Sequence, residues 1–260
     1  MIRLDGLTLV FAPGTVLETR ALCGIDLALP AGQFVTVIGS NGAGKSTLLN
    51  AITGNVGLAA GRIEIDGQDV TGWSAPARAA LMARVFQDPL AGSCEALSIE
   101  ENLALAAARG RRRGLGPALR QDLREMFRSR LATLGLGLER RLGDRMGLLS
   151  GGQRQVVSLV MATLAPMKIL LLDEHTAALD PKTSDFVLDL TRRMVAEQRL
   201  TTMMVTHSMR QALDCGERTI MLHEGRICFD LEGPARAGLD VADLIALFAK
   251  VRGETPIEAV

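Results

Sequence analysis

Phe34-Val35-Thr36-Val37-Ile38-Gly39-Ser40-Asn41-Gly42-Ala43-Gly44-Lys45-Ser46 is the stretch that decides the fold. Its first five residues are apolar at almost every position, as in a strand buried on both faces of a parallel sheet. The next eight match the phosphate-loop pattern, whose glycines let the backbone wrap until successive amide N–H groups point inward at an anion. A helix is expected to start near Lys45, where its N-terminus adds positive potential toward the β- and γ-phosphates of a nucleotide. In this reading Gly39, Ser40, Asn41, Gly42, Ala43, Gly44 and Thr47 cradle phosphate, Lys45 neutralises its charge, and Ser46 ligates Mg²⁺.

Downstream, a second apolar run at 169–172 ends in Asp173-Glu174. Two carboxylates at the C-terminal end of a central strand stand where open α/β sheets bind their ligands. Asp173 is expected to hold Mg²⁺ through water, and Glu174 to polarise or orient the attacking water as general base. A third strand is expected at 201–205. Upstream, 2–11, 22–29 and 62–65 read as antiparallel strands, with Asp66-Gly67 as a turn after the last. Between Asp88 and Ala165 the pattern turns helical, with Ser98 and Glu101 spaced as a capping box and an amphipathic run at 119–134. The basic run 109–113 reads as a solvated loop between helices. Strands at 219–223 and 227–230, joined by a Glu224-Gly225 turn, and a helix at 240–251 complete the chain.

Composition narrows the class. With 29 Lys plus Arg against 29 Asp plus Glu, no global field draws the chain to nucleic acid or to an anionic membrane surface. Cys23, Cys94, Cys215 and Cys228 lie without paired spacing, which argues against a zinc site or a disulfide framework and fits a reducing compartment. Residues 1–10 lack the basic head and apolar block of a secretion signal. The apolar runs 156–165 and 169–172 are interrupted by Pro166 and Lys168, short of the ~20 residues of a bilayer span.

Leu149-Ser150-Gly151-Gly152-Gln153, standing 20 residues before Asp173, gives the chain its resemblance to the ATP-binding-cassette family, whose signature it reproduces. Ser150 and the two glycines open a helix that runs through Met161, a second amide-rich anion site with no phosphate loop beside it. The resemblance covers essentially the whole chain and implies a P-loop NTPase α/β core with a mostly parallel sheet, an N-terminal antiparallel β subdomain and an inserted α-helical lobe. The expected organisation is 1–87 for the first part of the core, 88–165 for the helical subdomain, and 166–260 for the second part.

The resemblance further implies an ATPase using ATP and Mg²⁺, sandwiched in a head-to-tail dimer. Ser150, Gly151, Gly152 and Gln153 of one subunit close over the γ-phosphate held by the other. By the same resemblance Gln87, in Val85-Phe86-Gln87-Asp88-Pro89, senses Mg²⁺ and the attacking water. Asp180, in Ala178-Leu179-Asp180-Pro181, communicates across the dimer, and His207 contacts the γ-phosphate. Phe11 stands where the family places an adenine-stacking aromatic, with core packing as the alternative. His175 departs from the family by occupying a position most usually proline; it either tunes Glu174 or fills the turn, and it is not assigned to catalysis.

The implied partners are a second copy or a paralogous ATPase, integral-membrane permease subunits and an extracytoplasmic substrate-binding protein, with no nucleic acid. The place is the cytoplasmic face of the cell membrane, as a peripheral subunit. Ser98-Ile99-Glu100-Glu101-Asn102-Leu103 and Gly147-Leu148-Leu149-Ser150 resemble a bacterial importer subgroup that counts aromatic amino acids among its suspected cargoes. An exporter or lipid-transport ATPase is the nearest alternative, and a non-transport ATPase of the same family the next.

Overall fold

A computed structural model describes residues 1–111, 118–251 and Gly253. In chain order its elements are β1 (Ile2–Phe11), β2 (Thr19–Leu29), β3 (Phe34–Gly39), α1 (Lys45–Thr53), β4 (Ala60–Ile65), β5 (Gln68–Asp69) and α2 (Ala75–Arg78). There follow β6 (Met82–Val85), α3 (Ile99–Ala107), α4 (Gln121–Ala132), α5 (Gly151–Thr163), β7 (Ile169–Asp173) and α6 (Pro181–Gln198). Last come β8 (Thr202–Val205), α7 (Met209–Asp214), β9 (Arg218–His223), β10 (Arg226–Glu232) and α8 (Val241–Val251). They group into two units, Met1–Arg78 with Gln198–Val260, and Ala79–Glu197.

In the first unit an antiparallel sheet runs β2-β1-β4-β5. Strand β1 buries Ile2 and Leu4, then Leu7 and Leu9, so its inward positions change parity midway. A register shift between Leu4 and Leu7, with Gly6 at φ 58°, accounts for the change, because one extra residue in a strand swaps the faces beyond it. Strand β4 approaches that bulge closely: a Cβ on Gly61 would lie 2.6 Å from the Gly6 carbonyl oxygen. Asp66 and Gly67 turn β4 into β5, both at positive φ as the tight hairpin turn requires.

The same unit carries the phosphate-loop strand. β3 is buried along its whole length and pairs in parallel with β8 on one side and β9 on the other. β10 returns antiparallel to β9 through Glu224-Gly225, again at positive φ. β8 begins one residue later than the sequence pattern suggests, at Thr202, and the Thr201 hydroxyl before it accepts a hydrogen bond from the Gly32 amide at 2.9 Å. Helix α8 is secured by Leu244, which joins Ile38, Ala212 and Met221 in a buried cluster.

In the second unit β6 and β7 pair in parallel, Met82 with Ile169 through Val85 with Leu172. Ser98 caps α3: its hydroxyl accepts from the Glu101 amide at 3.2 Å while the Glu101 carboxylate accepts from the Ser98 amide at 2.7 Å. Helix α4 buries Phe127 and Leu131 four positions apart on one face. The basic run needs a correction at its first residue. Arg109 Nη2 donates to the carbonyls of Ala162 and Ala165 at 2.9 and 3.0 Å, and burial lowers its pKa. The end of α5 leaves carbonyls without helical partners, and a guanidinium supplies the missing donors. Arg111 is exposed, as a solvated loop requires, while Arg112 and Arg113 lie outside the described residues. Among the described residues no helix is long and apolar enough to cross a membrane.

Candidate nucleotide site

The first unit builds an anion cradle from backbone. β3 ends at Gly39, where a Cβ would lie 2.3 Å from the Leu222 carbonyl oxygen, so only glycine lets the loop leave the sheet there. Gly44, at φ 100°, starts α1, and a Cβ on it would lie 2.6 Å from the Ala21 carbonyl oxygen. These two positions are glycine for steric reasons of the loop itself. The buried Lys45 ammonium folds back and donates to the Gly39 and Ser40 carbonyl oxygens at 2.8 and 2.9 Å. Ser46, the next residue of the helix, is exposed.

A cavity of about 550 Å³ opens beside this loop, lined by Ile38, Gly39, Ser40, Asn41, His207, Met209 and Phe248. His207 reaches it because β8 and β3 are parallel neighbours that end together. The turn carrying His207 is anchored on both sides. Thr206 donates its hydroxyl to the Gln211 side chain at 2.8 Å, and Ser208 caps α7 by accepting from the Gln211 amide at 3.2 Å. Phe11 is not brought to this cavity; it sits at the outer end of β1, 44% exposed.

The second unit gathers the other site residues. Asp173 closes β7 and is buried, while Glu174 follows in the left-handed region at φ 47°. For a residue with a side chain that conformation costs about 1 kcal/mol or more, and such outliers concentrate at functional sites. Gln87, two residues beyond β6, is exposed. Ser150 caps α5 through a capping box in which its hydroxyl accepts from the Gln153 amide and the Gln153 side chain accepts from the Ser150 amide, both at 3.2 Å. Asp180 caps α6 by accepting from the Thr183 amide at 3.1 Å, and hydrogen bonding from the Thr183 side chain, then from that amide, holds its carboxylate below its ordinary pKa.

Three features of this unit were not visible in the motifs. A Cβ on Gly152 would meet the Thr183 methyl at 2.2 Å, so the second glycine of the signature has a packing role against the start of α6. His175 is fully buried, with Nε2 3.0 Å from the Thr191 hydroxyl, and burial lowers its pKa to about 4. Since Thr191 donates its proton to the Val187 carbonyl, His175 is the donor, neutral and protonated on Nε2. It therefore fills the turn and brings no charge to Glu174. Third, Arg84 donates to Asp173 Oδ2 at 2.5 Å. The signal was available: Arg84 is the one charged residue in the four-residue β6, and a buried charge requires a counter-ion.

Hydroxyl, carboxylate and amide oxygens, which Ser46 in the first unit and Asp173 and Gln87 in the second each carry, are donors that suit a hard cation. That is the donor chemistry of Mg²⁺, which takes one or two carboxylates and completes its shell with substrate phosphates and water.

Comparison with known proteins agrees with this geometry. Residues 22–177 match the family described as ABC transporter. The chain is 42% identical over 236 residues to a tyrosine transport ATP-binding protein of Clostridioides difficile, covering 91% of this chain and 92% of that one. It is 32% identical over 240 residues to a thiamine import ATP-binding protein of Yersinia pestis, covering 92% and 93%. Among solved structures it resembles a dimeric ATP-binding cassette in a post-hydrolysis state bound to ADP and Pi. There the identity is 28%, the TM-score 0.75, and the coverage 89% of this chain and 98% of that one. The chain belongs to the ABC transporter family. It is an ATP-binding subunit of that class, an ATPase built on the P-loop α/β fold.

Proposed function

We propose that this ATPase drives import of a small solute, with an aromatic amino acid the leading candidate, as the peripheral motor at the cytoplasmic face of the cell membrane. The observation that carries the motor part of the reading is the phosphate loop, with Lys45 folded onto the Gly39 and Ser40 carbonyls and with Gly39 and Gly44 required by the backbone around them. The likeness to a tyrosine transport ATP-binding protein supports this cargo class, and the likeness to a thiamine import ATP-binding protein supports import.

In the proposed cycle the amides of residues 39–46 hold the phosphates of ATP, and Lys45 exchanges its carbonyl partners for phosphate oxygens. Phe11 stacks on adenine. Ser46, Asp173 and Gln87 are the residues that would hold Mg²⁺, which would supply neutralisation of phosphate charge. Glu174 orients a water whose oxygen attacks the γ-phosphorus as the bond to the β–γ bridging oxygen breaks. The water's proton passes to Glu174, and the charge left on ADP is offset by Lys45. His207 contacts the γ-phosphate from the end of β8.

Two copies, or this chain and a related ATPase, meet head to tail. Each presents Ser150, Gly151, Gly152 and Gln153 to the γ-phosphate held by the other, with Asp180 communicating across the interface. The γ-phosphate bridges the subunits only while intact, so ATP favours the closed dimer and ADP does not. In the domain reading, residues 88–165 act as a helical lobe, with Gln87 and residues 88–93 pressing on the permease. A binding protein outside the membrane delivers cargo. The test is affinity purification of the tagged chain from gently solubilised membranes, followed by ATPase assay with and without its partners. A polytopic permease that stimulates hydrolysis is expected; recovery of a soluble partner alone would refute the transport role and leave the ATPase standing.

A further inference from the structure

We propose that Arg84 is a positioning residue of the ATPase, gripping one oxygen of Asp173 so that the other is aimed at the divalent cation; this rests on the reading of Asp173 as the metal-ligating carboxylate. The two side chains are 10% and 12% exposed, and Arg84 Nη2 lies 2.5 Å from Asp173 Oδ2. The register explains the reach. Arg84 pairs with Leu171 and Val85 with Leu172, so Asp173 stands two residues further along the neighbouring strand, within the span of an arginine side chain.

The guanidinium is itself held in place. Its carbon lies 4.7 Å from the centroid of the Phe86 ring, a cation–π stack that a planar group makes well. The Phe86 carbonyl in turn accepts from Nε2 of the buried Gln155 on α5 at 3.2 Å. Phe86 immediately precedes Gln87, so one cation ties the end of β7 to the segment that carries the proposed Mg²⁺ and water sensor. Asp173 and Glu174 are adjacent carboxylates, and Arg84 offsets the charge of the first where water does so poorly. Two effects follow. Arg84 fixes the carboxylate's direction, which favours turnover, and it competes with a cation for that carboxylate's charge, which raises the Mg²⁺ concentration needed.

The experiment uses the full chain as wild type, Arg84→Gln, Arg84→Lys and Asp173→Asn. Three quantities are read: affinity for a non-hydrolysable ATP analogue as Mg²⁺ is titrated, steady-state ATPase, and thermal unfolding without nucleotide. Arg84→Gln is expected to lower the half-saturating Mg²⁺ concentration at least threefold while kcat falls at least fivefold and KM for ATP stays within twofold. Arg84→Lys, keeping charge without the planar fork, is expected to leave the Mg²⁺ midpoint within twofold of wild type and still lose at least threefold in kcat. A purely structural ion pair would lower the unfolding temperature and leave the Mg²⁺ midpoint and kcat unchanged, and that result overturns the proposal. Should Arg84→Gln not fold, wild-type kcat in Arg84→Lys overturns it equally. Asp173→Asn is expected to lose the Mg²⁺-dependent gain in analogue affinity; a retained gain overturns the role of Asp173 itself.

Discussion

His175 predicts how stability depends on pH. Its imidazole is fully buried and neutral, and its pKa drops from an ordinary 6.5 to about 4. Between those values the unfolded chain binds a proton that the folded chain refuses, so stability falls as pH falls through this window. Above pH 6.5 both states are neutral at this residue and it contributes no pH dependence. At pH 4.5 the unfolded imidazole is almost wholly protonated and the folded one mostly not, a difference worth about 2.5 kcal/mol. The assay is urea unfolding followed by circular dichroism at pH 7.5 and pH 4.5, for wild type and His175→Gln. Glutamine keeps an N–H that can reach Thr191 and cannot titrate. Other groups contribute equally to both proteins, so the loss of stability on acidification is expected to be smaller in the variant by about 2.5 kcal/mol. Equal losses in the two proteins would refute the buried neutral state of His175.

Glu174→Gln is expected to retain ATP binding and to lose about 100-fold or more in turnover, read by single-turnover hydrolysis beside nucleotide titration. Gly44→Ala places a Cβ 2.6 Å from a backbone oxygen at φ 100°, and an unfolding midpoint showing a loss of more than about 2 kcal/mol is expected; wild-type stability would contradict the loop geometry. Arg109→Met removes the Nη2 donor of both hydrogen bonds at the end of α5 and leaves two carbonyls short of a partner, so thermal unfolding is expected to show a loss of about 1–3 kcal/mol.

Much of the architecture was legible because local rules suffice for it. The apolar run before Gly39 could only be a central strand, and β3 is one. Ser98 with Glu101 met the spacing of a capping box, and the reciprocal bonds are present. Asp66-Gly67 and Glu224-Gly225 supply the positive φ of tight turns. The boundaries were less legible: the pattern at 22–29 understated β2, which begins at Thr19 because Phe11 pairs with it across two further register shifts. Arg109 was misread as solvated, since nothing within a few residues of it shows that the end of α5 lies 53 positions away in sequence and adjacent in space.

Of the site, motif spacing alone picked out the phosphate loop, the carboxylates at the end of β7 and the helix opened by Ser150, because each depends on glycines, caps and strand ends that neighbouring residues dictate. Tertiary structure decided which charges and cavities those residues meet. It set Arg84 on Asp173 across 89 positions, packed Gly152 against Thr183, and sealed His175 beneath Thr191 in its neutral form. The physical reason is range: conformational preference acts within a turn or two of chain, whereas desolvation and charge compensation depend on whatever the folded chain brings alongside.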